Sequence, residues 1–283
     1  NAGGIKKYST SREVEEKEAN NVVGEKLHQG IPLLDDVLYR KAGQHKGTVK
    51  ATIFREKHGK TRHACWETAQ DLRMGHKVLY VTLESHDIDI KNNIKEILQD
   101  EWDQFKDNLF YRDATTDVDE IINSIIEWVF VEGGDKVVID HMQRIKHPDS
   151  RKMSDNENGN KCCMLLTDTA VKYDLNMHLI NQARQPDKFV KGYGNVPQTY
   201  DCYGSNQLIK DASIILVGFR PNTDEQLIEK TPLGTKVKDP FGDDAPFHSV
   251  FVKPILSRKK MENLHKWIHF VDSDYGYRLH RQE

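Results

Sequence analysis

An α/β fold with a mainly parallel central sheet and helices on both faces is what this 283-residue sequence predicts. Two observations predict it. Short apolar runs at 48–54, 77–83, 136–140, 177–181 and within 209–219 recur between segments whose apolar residues follow helical spacing. Those runs are apolar almost throughout instead of alternating with polar residues, as strands covered on both faces must be. Strand and helix taking turns along the chain is the pattern of crossover units and a parallel sheet.

Taken in order, residues 1–26 are polar and charge-dense, with Gly3-Gly4 and the acids Glu13, Glu15, Glu16 and Glu18, and read as a linker or exposed arm. Residues 27–283 read as one domain. Gly30-Ile-Pro-Leu-Leu-Asp-Asp-Val-Leu38 is a turn leading into a short amphipathic helix, and 41–47 is a turn before the strand at 48–54. A helix over 61–74 stops at Gly75, a residue suited to the left-handed conformation past a helix end. The run 77–83 is a buried strand, 88–99 a helix, 108–111 a strand, 118–131 a helix and 136–140 another buried strand. Residues 146–161 read as a polar loop, 162–173 as a helix, 177–181 as a strand and 186–206 as a Gly/Pro/Asn-rich loop. A short helix end and a strand share 209–219, and further strands fall at 250–256 and 266–271.

Charged residues make up 30% and the net charge is −3, so no global basic field draws the chain to nucleic acid, and any such contact must come from local Lys/Arg loops. No apolar run approaches the roughly 18–20 residues that cross a bilayer, and the reading is a cytoplasmic-type protein without membrane contact. Cys65, Cys162, Cys163 and Cys202 lack metal-ligand spacing and read as reduced thiols. The chain opens on Asn1, which reads as a fragment or processed product.

The chemistry begins at Gly59-Lys60-Thr61, between an apolar strand and a helix. Glycine lets backbone N–H groups approach phosphates, and the helix N-terminus adds partial positive charge. Lys60 then reaches the β/γ-phosphates and the Thr61 hydroxyl ligates Mg²⁺. Phe54 stands where the first Gly of G-x-x-x-x-G-K-[ST] is usual. Arg55, His58, Gly59, Lys60, Thr61 and Arg62 are the nucleotide-contacting candidates.

Mg²⁺ needs a second hard ligand, and Asp140 closes the apolar run Val137-Val-Ile. A strand-ending Asp equally caps a turn. Glu84 closes Leu79-Tyr-Val-Thr-Leu and is the candidate base for activating water, or else the acid at the start of the next helix. His58, His63 and His141 read as packing or rim residues, and Trp66, Trp102, Trp128 and Trp267 as core or interface.

Together these segments resemble the RecA-like motor domain of DnaB-type replicative helicases, including the phage ones, over about 30–279. The segment Gly30 to Leu38, the loop Phe54-Arg55 to Thr61, Val81-Thr-Leu-Glu84 and Ile139-Asp-His-Met-Gln143 are similar to that family's successive motifs. So are Leu179-Ile-Asn-Gln182 and Gln207-Leu-Ile-Lys-Asp-Ala-Ser. The resemblance implies an ATP- and Mg²⁺-dependent helicase, a homo-oligomeric ring (a hexamer) on single-stranded DNA, with a primase or helicase loader as further partners. It implies Glu84 as catalytic base, Gln182 as sensor of the γ-phosphate and Arg258 as the arginine finger offered to a neighbouring subunit, with Lys259 and Lys260 beside it.

It also places DNA against the loops after the metal-site and sensor strands, where Arg144, Lys146, Arg151 and Lys152, then Lys188 and Lys191, are the nucleic-acid candidates. Tyr193, Tyr200 and Tyr203 are candidates to stack bases. The departures are His141 for Tyr, Asn181 for Ser, Gln185 for Arg and the lack of a Lys-x-Arg-x-Gly stretch. They keep open a RecA-like ATPase of recombinase or circadian-clock type, and a degenerate nucleotide-binding scaffold.

Overall fold

Alternation along each strand decides which residues meet which helix layer. Val49, Ala51 and Ile53 of β1 (Val49–Phe54) and Leu79 and Val81 of β2 (Val78–Thr82) join one core, while Phe54, Val78 and Tyr80 join the other. The structure, a computed structural model, describes residues 47–113, 115–184, 192–202, 206–232, 234–257, 266–273 and 276–282. The arm at 1–26, the segment Gly30 to Leu38, Gln185, Lys188, Lys191, Tyr203, Arg258, Lys259 and Lys260 lie outside the described residues.

Beyond β1 and β2 the main sheet contains β3 (Leu109–Asp113), β4 (Lys136–Asp140), β5 (Asn176–Gln182) and β6 (Ile214–Phe219). The three-stranded sheet contains β7 (Ile228–Thr231), β8 (Gly234–Lys238) and β9 (Asp244–Pro246). The last strands are β10 (Ser249–Ser257), β11 (Ile268–Ser273) and β12 (Gly276–Gln282). The nine-stranded sheet runs β12-β11-β10-β6-β1-β5-β4-β2-β3. From β6 through β3 all neighbours are parallel, and β10, β11 and β12 add an antiparallel edge.

One face is covered by α1 (Lys60–Arg73) and α2 (Asp87–Leu98), through Ala64, Trp66, Ala69, Leu72, Ile90 and Ile94. The other is covered by α3 (Val118–Glu132) and α4 (Asp155–Lys172), with α5 (Asn206–Asp211) packed on α4. The predicted fold class is therefore the observed one. Helix α3 starts at Asp117, whose carboxylate accepts from the N–H groups of Asp119 (2.9 Å) and Glu120 (3.2 Å), and stops at Gly133 with φ 67°.

Three expectations change. Residues 146–161 are not loop throughout: α4 begins at Asp155, capped by Ser154, whose hydroxyl and N–H exchange hydrogen bonds with Glu157. The small sheet β7–β9 and the final strand β12 were not foreseen, because their residues are mostly polar. Phe54 in place of glycine is accommodated on the neighbouring strand. Its ring lies over Gly218, where an added Cβ would come within 2.0 Å of it.

Candidate nucleotide site

The register aligns the strand ends. Phe54 pairs with Gln182 across β1 and β5, Asp140 with Ile180 across β4 and β5, and Thr82 with Asp140 across β2 and β4. Residues following β1, β2, β4 and β5 thus emerge at one carboxyl-end edge, where open α/β sheets bind ligands. Gly59 holds φ 91°, and α1 starts directly after it with no side-chain cap and no acid in its first turn. Its free N–H groups are left for an anion.

Lys60 Nζ donates to Glu84 Oε2 at 2.6 Å, and His141 Nδ1 lies 2.9 Å from the same oxygen. Partial burial pushes the Glu84 carboxyl up, but the hydrogen bonds from Lys60 and His141 outweigh it and hold the pKa at about 2. Asp140 is buried, and burial pushes its pKa up against the Lys60 charge and the hydroxyls of Thr61 and Tyr80. Tyr80 donates to Asp140 Oδ2 at 3.2 Å.

Asp140 Oδ1 is buried without a hydrogen-bond partner among the described residues. A buried unsatisfied carboxylate oxygen is costly, and a hard cation would satisfy it. Ligand atoms of Glu84, Asp140 and His141 all lie within 4.8 Å of one another. Of the groups here, the Asp140 carboxylate and the Thr61 hydroxyl beside it are oxygen donors that fit Mg²⁺, and they are the residues that would hold it. His141, expected as a packing or rim residue, is buried with Nδ1 against Glu84.

The other loop residues have different neighbours. Arg55, expected at the phosphates, donates from Nε to Asn195 O (2.7 Å), from Nη2 to Asp201 Oδ2 (3.1 Å) and from Nη1 to Arg184 O. Arg62 reaches α2 and β11, through Glu96 (2.7 Å), Asn93 (2.6 Å) and Asp272 (3.2 Å). His58 packs on Phe219, accepts at Nδ1 from the Arg220 N–H (3.0 Å) and sets Nε2 3.1 Å from Thr223 Oγ1.

Burial, then the charges of Arg55 and Arg220, lower the His58 pKa to about 4. A histidine whose folded pKa is depressed stays neutral when folded and binds a proton more readily when unfolded. Stability is then lost as pH falls below 6.5, the value of a free imidazole. Between about pH 7.5 and about pH 5, His58 alone is expected to remove about 2 kcal/mol. Urea denaturation at the two pH values checks this, and His58→Gln should flatten the difference.

Sequence reasoning missed Arg220. It follows β6, the strand beside β1, and its Nη2 lies 2.9 Å from where a Cβ on Gly59 would stand. It bonds Asp272 Oδ2 at 2.5 Å, and its Nε is buried without a hydrogen-bond partner among the described residues. An arginine directly after an apolar run was the available signal, but only the strand order ties it to the phosphate loop.

Gln182 ends β5 half-buried, and Gln143 joins the two strand ends by donating to Asn181 Oδ1 (2.6 Å) and Gln182 O (2.8 Å). Arg144 and Lys146, with Glu84, Ser85, His86, Thr116 and Gln143, line a cleft of about 590 Å³. Arg151 and Lys152 are exposed on a separate turn, where Lys152 pairs with Asp149 at 3.5 Å. Tyr193 is half-buried, packs against Phe219, Phe251 and Trp267 and donates to Lys238 O. Tyr200 is 75% exposed. All four cysteines are buried thiols outside any disulfide. Among the described residues no helix is long and apolar enough to cross a membrane.

No family model matches the chain, and no curated protein matches it. Among solved structures, a KaiC-like protein from the hyperthermophilic archaeon Pyrococcus horikoshii OT3 superposes with a TM-score of 0.57, at 16% identity. The match covers 91% of this chain and 99% of that one. The likeness is one of fold: the sheet and its two helical layers have the RecA-like arrangement.

Proposed function

We propose that the chain is a RecA-like nucleoside triphosphatase, the motor domain of a DnaB-type and phage-like helicase, acting as a homo-oligomeric ring on single-stranded DNA. One observation carries the reading. Lys60, Thr61, Glu84, Asp140 and Gln182, drawn from four strand ends, converge at one edge of the sheet. A phosphate cradle, a metal-holding carboxylate and a base are the parts that phosphoryl transfer to water requires.

The N–H groups at the start of α1 and the Lys60 ammonium would receive the phosphates of ATP. Bound Mg²⁺ would supply positive charge to the phosphate oxygens. Lys60 then leaves Glu84 for the phosphates, and Glu84, still in contact with His141, accepts the proton of the attacking water. Arg220 adds a second cation beside Gly59 from the same chain. Arg258 would complete a neighbour's site, and Arg144, Lys146, Arg151, Lys152, Lys188 and Lys191 would follow the phosphate backbone of the strand.

Hydrolysis of ATP, measured with and without an unstructured oligo-dT, tests the reading. Turnover that the oligonucleotide stimulates, and that Lys60→Ala removes, is the expected result. Nucleotide bound without turnover, in a sample shown to be oligomeric, would overturn it. A second reading, a clock-type ATPase that does not unwind, is favoured by the likeness to a KaiC-like protein. Unwinding of a forked duplex with a 5′ overhang separates the two.

A further inference from the structure

We infer that Arg55 is a positioning residue, a clasp that transmits the state of the phosphate loop to the segment following β5. The inference rests on the nucleotide-binding reading above and extends it to a residue whose guanidinium is bonded to protein acceptors. Arg55 is the first residue after β1, four before Gly59, and only 3% exposed. Its guanidinium reaches three acceptors on one distant segment: Arg184 O, Asn195 O and Asp201 Oδ2, separated from it by 129 to 146 residues.

The two ends of that segment are themselves pinned together. Ala183 and Cys202 form an isolated bridge, the Arg184 N–H donates to Asp201 O at 2.7 Å, and the Ala183 N–H donates to Phe54 O at 2.7 Å. Asp201 also accepts from the Gln198 N–H at 2.9 Å, so its carboxylate organises the returning turn. The clasp continues outward. Arg184 Nη2 donates to Asn156 Oδ1 at 2.8 Å, in the first turn of α4, just beyond the turn that carries Arg151 and Lys152.

A series of charge-assisted and backbone hydrogen bonds thus runs from the first residue of the phosphate loop to Arg184, Asn195 and Asp201, and from Arg184 to Asn156 beside the turn of Arg151 and Lys152. A planar fork with five N–H donors on three nitrogens reaches three acceptors spread around it, whereas the three donors of a lysine radiate from one nitrogen and cannot match that spread. Because the buried guanidinium is bonded to three acceptors at once, a shift of Arg55 must move Arg184, Asn195 and Asp201 with it or break those bonds.

The test is hydrogen–deuterium exchange of peptides spanning 192–202, with and without Mg²⁺ and the non-hydrolysable analogue AMP-PNP. Wild-type protein, Arg55→Lys and Asp201→Asn are compared, each with its AMP-PNP affinity measured by titration. Asp201→Asn keeps the shape of the acceptor and removes its charge, which guards against an Arg55 variant that fails to fold. The expected result is a nucleotide-dependent change in exchange in the wild type that both variants lose while still binding AMP-PNP.

Variants that keep the change place the link elsewhere and overturn the inference. So does a folded Arg55→Lys that no longer binds AMP-PNP, because Arg55 would then be a nucleotide ligand. A wild type that binds AMP-PNP with no change at 192–202 refutes the clasp alone. A wild type that binds no AMP-PNP refutes the nucleotide reading, and the clasp falls with it.

Discussion

Glu84→Gln is expected to slow ATP hydrolysis by about 10²- to 10⁴-fold while nucleotide binding persists. The glutamine keeps the size of the side chain and can still accept from Lys60 and His141, whose atoms lie 2.6 and 2.9 Å from the carboxylate oxygen. It cannot take a proton from water. Nothing in the cradle of Gly59, Lys60 and the α1 N-terminus is altered, so affinity for ATP should hold. Lys60→Ala, by contrast, removes the ammonium from the phosphates and should weaken binding as well as turnover. Phosphate release and titration with a fluorescent nucleotide separate the two patterns. Parental turnover in Glu84→Gln would dismiss Glu84 as the base.

Glu67→Ala is expected to destabilise the fold by about 3–5 kcal/mol, as breaking a buried ion pair does. Glu67 of α1 sits between sheet and helix, 2.9 Å from Lys50 Nζ on β1 and 3.1 Å from His178 Nδ1 on β5, all three 1% exposed. His63 Nε2 lies 3.6 Å away, and His178 Nε2 is 2.7 Å from Thr52 Oγ1. Burial pushes Glu67 up, yet the Lys50 ammonium together with His178 and His63 more than reverses this and holds the carboxyl well below the usual carboxylate range. A depressed acid contributes stability that is present above its unfolded value of 4.5 and is lost as pH falls through the folded value.

The alanine variant leaves the Lys50 ammonium buried without that carboxylate. Urea denaturation at pH 7 reads the loss. Pairing Lys50→Met with Glu67→Leu should recover most of it, because an apolar pair of similar volume avoids the desolvation of two charges. Equal losses in the single and double variants would show that packing, and not charge pairing, is what Glu67 contributes.

Much of this architecture was legible because parallel strands covered on both faces must be apolar along their length. Val137-Val-Ile before Asp140 and Leu79-Tyr-Val-Thr-Leu before Glu84 announce both a strand and the group at its end. The Ser154 to Glu157 capping pair was also present in the sequence, hidden by the polar residues around it. The partners of Arg55, His58 and Arg62 were not legible. Each lies from about thirty to well over a hundred residues away, and no local period encodes which strand becomes a neighbour. Arg220 was missed for the same reason, and the place of His141 likewise depends on strand order and on a shared oxygen of Glu84.

Phe54 and Gly218 carry a consequence for how such chains are recognised and altered. The bulk that glycine would have left free before the phosphate loop is moved one strand sideways, where Gly218 makes room for the ring. The two positions therefore behave as one steric unit. A search demanding glycine at the first loop position passes over the chain, although the room exists on the adjacent strand. An engineer who enlarges residue 218 must shrink residue 54 in the same step, or force the ring into the strand that holds up the phosphate loop.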